Sequence, residues 1–551
     1  MVPDALRARV LAWRDDDPDA DTVARTDALL AAADGGDAAA LAELTRAFGP
    51  LLEFGTAGLR GPIGPGPASM NRAVVARAAA GLAAYLRQHD GTAAVIGYDA
   101  RHRSLDFALD TAEIMAGAGL QAFVMPTTLP TPVLAYAIRA LGVDAGVMVT
   151  ASHNPPQDNG YKVYLGDGSQ IVPPADRDIA AHIAAVTSVA AIPRDDGFTM
   201  LTHDLVDAYV NDAASIVAPD APRDLRVVST SMHGVGHTTW MAAMRAAGFR
   251  IPSVVVSQAA PDPDFPTVAF PNPEEPGAAD LLLAHAAAER ADLAIAHDPD
   301  ADRCAAGVFD AAIGAWRLLT GDELGILLGW WTVERTRRFG LPTPTGVLAC
   351  SVVSSTMLLR IADAAGLTAR QTLTGFKWIG RVPDLAFGYE EALGYCVAPD
   401  LVADKDGITA GLRVVEMAAS LQAEGRTLLD ALDALYAEHG LHATSQLSLR
   451  LPSAEAIAGA MARLRQAPPT DLGGQPVVGV DDLADGIDGL PPTDGIRLRM
   501  DGARVIVRPS GTEPKVKCYL EVVTPFTDDA KAGAATVIEA MKADLRTALG
   551  A

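Results

Sequence analysis

Residues 145–155 read Ala145-Gly146-Val147-Met148-Val149-Thr150-Ala151-Ser152-His153-Asn154-Pro155. The run 145–150 is apolar and reads as a buried strand. The remainder is a polar turn where that strand leaves the core. A serine lifted off a strand end beside His, Asn and Pro exposes one hydroxyl among hydrogen-bonding groups. That setting suits a serine that carries a group during turnover.

The surrounding sequence repeats this grammar. Residues 93–98 read as a strand, 107–119 as a helix and 121–125 as a strand again. A strand at 225–230 precedes a helix at 238–247, further strands fall at 291–296 and 346–353, and a helix follows at 356–365. The alternation predicts α/β units with largely parallel sheets, whose ligand sites lie beyond the carboxyl ends of strands. An internal echo supports repeated units: Val95–Asp99 and Leu293–Asp298 both put an acid at the end of an apolar strand. The Pro-rich stretch 261–276 reads as a loop in the second unit. From about residue 445 the pattern becomes that of antiparallel strands, at 445–451, 496–500 and 504–507, the last two around the turn Asp501-Gly502. Residues 1–50, rich in Ala, Asp and Leu at helical spacing, read as a helical lead-in.

The chain has 551 residues, too many for one core. Its 49% hydrophobic and 20% charged composition is that of a soluble globular protein. A net charge of −24 disfavours non-specific nucleic-acid or membrane binding, so neither partner is expected. Any anionic ligand must meet locally concentrated Lys and Arg. The four cysteines, Cys304, Cys350, Cys396 and Cys518, are widely spaced and read as buried thiols of a reducing compartment. The N-terminus lacks the shape of a signal peptide and no apolar run approaches a membrane span, so a cytoplasmic location is expected.

Further constellations lie downstream. Asp298-Pro-Asp300-Ala-Asp302-Arg303 follows a strand, and its alternate spacing can aim three carboxylates at one hard cation, favouring Mg²⁺ over zinc. Arg303 and Phe309 stand where an EF-hand needs Gly and Glu. A haloacid-dehalogenase-type phosphatase, with Asp298 as nucleophile, stays open on this segment, as does a solvated acidic turn. Arg508-Pro-Ser510-Gly511-Thr512-Glu-Pro-Lys515-Val-Lys517 offers hydroxyls, main-chain N–H groups and a bidentate Arg to phosphate oxygens. Phe54–Gly61, with Arg60, and Thr374-Gly375-Phe376-Lys377-Trp378 read equally as plain turns. Glu390 and Glu391 sit in an apolar segment and need partners, either sugar hydroxyls or neighbouring Arg and backbone. Asp404-Lys405-Asp406-Gly407 opens a helix from Ile408 onward; its Lys can meet a phosphate or pair with an Asp.

Taken in this order, the segments resemble the α-D-phosphohexomutase superfamily, which includes phosphoglucomutases and phosphomannomutases. The resemblance runs from Gly55 to Lys517, and Phe387–Tyr395 with Asp404–Gly407 looks closest to its phosphopentomutase-like branch. It implies three similar α/β mixed-sheet domains plus a C-terminal α+β phosphate-binding domain around a central cleft, with boundaries at 1–50, 51–205, 206–318, 319–444 and 445–551. Ser152 matches the serine that becomes phosphorylated, and Asp298, Asp300 and Asp302 match the Mg²⁺ ligands, joined by the Ser152 phosphate. Lys162 and Arg60 match active-site cations, Arg303 the arginine beside the metal loop, Glu390 the sugar-reading acid, and Arg508, Ser510, Gly511 and Thr512 the distal phosphate cradle. Gly375, Lys377, Lys405 and Lys517 are further candidate substrate contacts. His153 is either a general base or an orienting group for the serine.

The activity so implied is interconversion of 1-phosphate and 6-phosphate (or 5-phosphate) sugars through a phosphoserine and a bisphosphate intermediate. Glucose 1,6-bisphosphate or another sugar bisphosphate would be the activator. Many hexose members carry Ser where this chain has Ala392, which bears on the sugar. Phosphopentomutase and glucose-1,6-bisphosphate synthase are narrower alternatives. A phosphatase or a non-catalytic sugar-phosphate sensor is the alternative of a different class. The expected partner is a small phosphosugar, and the expected state a monomer or homodimer.

Overall fold

The computed structural model describes residues 2–55, 58–342, 344–510 and 515–550. The chain divides into two compact units, residues 1–318 with 394–419, and residues 319–393 with 420–551.

The first unit opens with three helices, Asp4–Asp16, Ala20–Asp34 and Ala38–Ala47. Asp19 and Asp37 cap the second and third through their side chains. Leu6, Val10, Leu30, Leu44 and Phe48 close a small core between them.

Two α/β layers follow. In the first, the strands lie in the order Gly58–Pro62, Asp158–Leu165, Ala145–Val149, Ala93–Tyr98, Gln121–Val124, Thr199–Met200. The last four are mutually parallel and the first two antiparallel. Every residue of Ala145–Val149 and of Ala93–Tyr98 is buried, as strands covered on both faces must be. In the second sheet the order is Ala315–Leu318, Cys304–Asp310, Leu293–His297, Val227–Thr230, Ser253–Val254. Again the parallel core passes into an antiparallel edge.

The repeat is real, but its register differs from the sequence echo. By sheet position Leu293–His297 corresponds to Ala145–Val149, not to Ala93–Tyr98. The Ser152 loop and the Asp298 loop therefore occupy equivalent places, each where a parallel strand turns back antiparallel.

In the second unit, Val347–Ser351 pairs in parallel with Thr368–Thr372 and Leu385–Glu390. The carboxyl-terminal domain is an antiparallel sheet ordered Leu441–Arg450, Lys515–Thr524, Ala503–Pro509, Ile496–Met500, Gly479–Asp482. Helices Ala454–Gln466 and Ala530–Leu549 belong to the same domain. The architecture is thus four-domain α/β with mixed sheets.

Some boundaries moved. The helix expected at 107–119 spans Ser104–Gly117, because Asp99 binds the Ser104 hydroxyl at 2.6 Å and fixes the entry turn. The helix expected at 238–247 spans Gly236–Ala246. Among the described residues no helix is long and apolar enough to cross a membrane.

Candidate active site

Ser152 follows its strand with φ +50°, a left-handed conformation that costs a non-glycine residue about 1–3 kcal/mol. Its N–H donates to Thr150 Oγ1 at 2.9 Å. Its hydroxyl donates to Asp298 Oδ2 at 2.7 Å and lies 3.2 Å from His153 Nδ1. The two equivalent loops thus meet through the serine.

Asp298, Asp300 and Asp302 are all buried, and one carboxylate oxygen of each lies within 4.8 Å of the others. Lys162 Nζ donates to Asp300 Oδ2 at 2.7 Å and to Asp302 Oδ2 at 2.8 Å. Thr131 Oγ1 donates to Asp300 Oδ2 at 2.6 Å. The opposite oxygens, Asp300 Oδ1 and Asp302 Oδ1, are buried and accept no hydrogen bond from the described residues. Three hard carboxylates gathered within 4.8 Å, two of them with a bare oxygen, fit a divalent cation. Burial and its two acidic neighbours push the Asp298 carboxyl well above the usual range. Burial also acts on Asp302, but Lys162, Lys405 and Arg303 outweigh it and hold that carboxyl down.

Arg303 donates its backbone N–H to Asp298 Oδ1 at 3.0 Å, and its guanidinium lies 3.5 Å from Glu274 and 3.9 Å from Asp298. Half of the Gly-rich 54–61 segment proves to be a strand, Gly58–Pro62, which sets Arg60 opposite Gly160. A Cβ on Gly58 would stand 1.8 Å from the Tyr161 carbonyl, so only glycine admits this approach. Arg60 Nη1 then reaches Asn154 Oδ1 at 3.2 Å.

Lys405 lies 3.5 Å from Asp302 and 3.7 Å from Asp404, the ion-pair option of the sequence reading. Asp404 accepts from Tyr164 and Gln170, and Asp406 caps the helix Gly407–Gln422 through the N–H groups of Ile408 and Thr409. Burial, with Arg303 and Arg60 nearby, drives the His153 imidazole well below its ordinary pKa, so the ring is neutral at pH 7. The first unit therefore brings Ser152, His153, Lys162, Arg60, Arg303, Lys405 and the three aspartates together.

The remaining candidates belong to the second unit. Gly375, at φ +105°, starts the short helix Phe376–Ile379, and Lys377 Nζ stands 5.2 Å from the Trp378 ring. Arg508 Nη1 donates to Thr374 Oγ1, joining the arginine loop to the Gly375 loop. Ser510 N–H donates to the Lys515 carbonyl at 2.8 Å, and Lys517 pairs with Arg508 across the sheet. Gly511 and Thr512 lie outside the described residues. Glu390 ends the strand Leu385–Glu390. Its neighbour Glu391 accepts from the hydroxyls of Ser351 and Ser354 at 3.0 and 3.1 Å, partners other than the Arg and backbone groups expected from sequence.

Two supporting residues escaped the sequence reading. Arg101 binds the Ser152 loop, and its only signal was a place after a strand-end acid. Thr131 orients Asp300, and nothing in Pro130-Thr131-Pro132 announces it.

Comparison with known proteins agrees with this geometry. Four family models match in order: phosphoglucomutase/phosphomannomutase alpha/beta/alpha domain I over residues 51–190, domain II over 207–311, domain III over 320–439 and the C-terminal domain over 454–535. The chain belongs to the phosphoglucomutase/phosphomannomutase family, within the α-D-phosphohexomutase superfamily, and is an isomerase. It is 47% identical over 459 residues to the "Probable phosphomannomutase" of Haemophilus influenzae, covering 82% of this chain and 93% of that one. It is 34% identical over 534 residues to human phosphopentomutase, covering 88% and 87%. The fold of parafusin, a Paramecium phosphoglucomutase solved in its open form, matches with a TM-score of 0.70 at 18% identity over 91% of this chain and 96% of that one.

Proposed function

We propose that this phosphosugar mutase acts on hexose phosphates, glucose or mannose, with Ser152 as the phosphoryl carrier. The observation that carries this reading is the 2.7 Å contact of the Ser152 hydroxyl with Asp298, at the meeting of two equivalent strand-end loops. Phosphoserine 152 gives its phosphoryl group to the free hydroxyl of a sugar monophosphate. The serine P–O bond breaks as the sugar P–O bond forms. The resulting bisphosphate turns over and returns its other phosphate to Ser152, releasing the isomeric monophosphate.

Lys162, Arg60 and Arg303 offset charge on the transferring group. His153, held neutral 3.2 Å from Oγ, can take the serine proton when the serine is the acceptor. Mg²⁺, held by Asp298, Asp300, Asp302 and the Ser152 phosphate, would polarise the phosphoryl oxygens. Glu390, Gly375 and Lys377 receive the sugar. Arg508, Ser510, Gly511, Thr512 and Lys517 hold the phosphate that is not reacting, and Lys405 steadies Asp302. The domain limits 51–205, 206–318, 319–444 and 445–551 serve this division of labour. A sugar bisphosphate primes the serine, and the protein acts in the cytoplasm as a monomer or homodimer. Four buried thiols suit that compartment.

A pentose 5-phosphate is the second reading, favoured by Ala392 and by similarity to human phosphopentomutase over 88% of this chain. A coupled assay with Mg²⁺ and a trace of glucose 1,6-bisphosphate tests both. Glucose 1-, mannose 1- and ribose 1-phosphate are offered in parallel, with Ser152→Ala as control. Isomerisation that vanishes in the control supports the carrier role, and the rates rank the sugars. Phosphate release that persists in the control would move the nucleophile to Asp298.

A further inference from the structure

We infer that Arg101 is a positioning residue for phosphoryl transfer: its buried guanidinium holds the Ser152 loop in the left-handed geometry from which Oγ reaches the Asp298 loop. The inference rests on the reading of Ser152 as phosphoryl carrier.

Arg101 is 4% exposed. Nη1 donates to the carbonyls of Pro155 at 2.8 Å and Asp158 at 3.2 Å. Nη2 donates to the carbonyls of Ser152 at 2.6 Å and Asn154. One side chain therefore gathers four carbonyls of the turn that carries the serine. A segment leaving a sheet must still satisfy its backbone oxygens. Here a single rigid, planar fork does so, and it fixes the directions of those carbonyls relative to one another.

The guanidinium is itself held from behind. The Arg101 backbone N–H donates to Asp99 Oδ1 at 3.0 Å, and Nε faces Asp99 Oδ2 at 3.4 Å. The Phe265 ring, from the Pro-rich stretch 261–276, lies 4.8 Å from the guanidinium carbon. Nine residues on, Glu274 meets Arg303 at 3.5 Å. The Pro-rich stretch thus backs both the serine loop and the aspartate loop.

This arrangement bears on chemistry because Ser152 sits at φ +50°. Its carbonyl ends on Arg101 and its N–H on Thr150. With Arg101 removed, the serine can relax toward ordinary φ and carry Oγ away from its 2.7 Å contact with Asp298. A displacement of about 1 Å at a reacting atom costs about 100-fold in rate.

The test compares wild type, Arg101→Lys and Arg101→Ala, the last with and without guanidinium ion. Four quantities are read: kcat, KM for the monophosphate, Mg²⁺ affinity, and the single-turnover rate at which glucose 1,6-bisphosphate phosphorylates Ser152, followed by intact mass. The expected result for R101A is a kcat about 100-fold lower, with the phosphorylation rate falling in step. KM and Mg²⁺ affinity should stay within about threefold, and guanidinium ion should restore about tenfold of the loss. R101K keeps the charge without the fork and should lose about tenfold in kcat, which keeps the test alive should R101A fail to fold.

A kcat within about threefold of wild type in R101K and in folded R101A overturns the inference. So does a loss that guanidinium leaves untouched, or one that appears in KM or Mg²⁺ affinity instead of kcat. Turnover that persists in Ser152→Ala would instead sink the carrier reading, independently of any result at Arg101.

Discussion

Two buried acidic sites, one in each compact unit, are built oppositely. In the first, Asp298, Asp300 and Asp302 crowd together, and two of their oxygens accept no hydrogen bond from the described residues. In the second, Glu521 is filled by its own chain. Its Oε1 accepts from Ser355 Oγ, Thr356 N–H, Thr356 Oγ1 and His442 Nδ1, at 2.7–3.1 Å, and its Oε2 accepts from Arg504 Nε at 2.7 Å. Burial penalises the Glu521 charge, but Arg504 and His442 outweigh it and hold the carboxyl down to about 2. Buried acids as such do not mark a site. Unfilled lone pairs do, because a fold that leaves them bare loses stability unless something from outside completes them.

The largest effect that could break this comparison is at the serine. On the proposed carrier role, Ser152→Ala should lower isomerisation by at least about 10⁴-fold while phosphate-sugar binding survives. Asp298→Asn should come next. The amide removes a charge from a crowded buried set, so Mg²⁺ affinity, read by calorimetry, should fall about 100-fold or more. The melting temperature without Mg²⁺ should not fall, because Asp298 gains relief from its two neighbours. A cation-free D298N that melts well below wild type would show that the triad is structural, like Glu521.

The aspartate and serine loops were legible because each packs its chemistry into a few consecutive residues after an apolar strand. The fold followed from the same alternation of strand and helix. What escaped was everything that acts across sequence distance. Arg101 serves a loop about fifty residues on, and Thr131 serves Asp300 at a separation of 169. Arg504 and Glu521 sit on alternating antiparallel strands, where a charge reads as solvent-facing; the Val352–Thr356 turn meets both of them there. Asp99 and Asp298 look alike in sequence, yet their strands hold different positions in their sheets. Strand order alone distinguishes the acid that anchors Arg101 from the acid that meets Ser152.

Glu521→Gln should be the mirror image of Asp298→Asn. Mg²⁺ affinity should be unchanged and stability should fall, because Arg504 is left without its charge partner. The sign with pH follows from a folded value of about 2 against an unfolded value near 4.5. The stabilisation is complete above the unfolded value and is lost as pH falls through the folded one. At neutral pH it amounts to about 3 kcal/mol by linkage. Denaturant melts of both proteins from pH 6 downward should therefore converge toward pH 2. A gap independent of pH would mean that packing, not charge, distinguishes the two.

Asp322 sharpens the contrast within the second unit itself. It accepts from Ser355 N–H at 2.7 Å and Tyr389 OH at 2.9 Å, yet among the described residues no cation meets it as Arg504 meets Glu521. Burial, with Glu391 adding to it, pushes its carboxyl up to about 7. Here the sign reverses. The folded state holds its proton more tightly than the unfolded chain, so wild type loses stability as pH rises from about 4 to 7 and then levels off. Asp322→Asn keeps an acceptor for Ser355 and Tyr389 and removes the titration. Its stability relative to wild type should climb across that window. Linkage alone sets a ceiling of about 4 kcal/mol, and burying the new amide N–H groups returns about 1–3 of that, leaving a gain of about 1–3 kcal/mol. Denaturant melts at pH 4, 5.5, 7 and 8 resolve it. A difference that stays flat over this range would place the Asp322 charge outside the energetics of the fold, and the rule that an unpaired buried acid signals an unmet need would then rest on the aspartate triad alone.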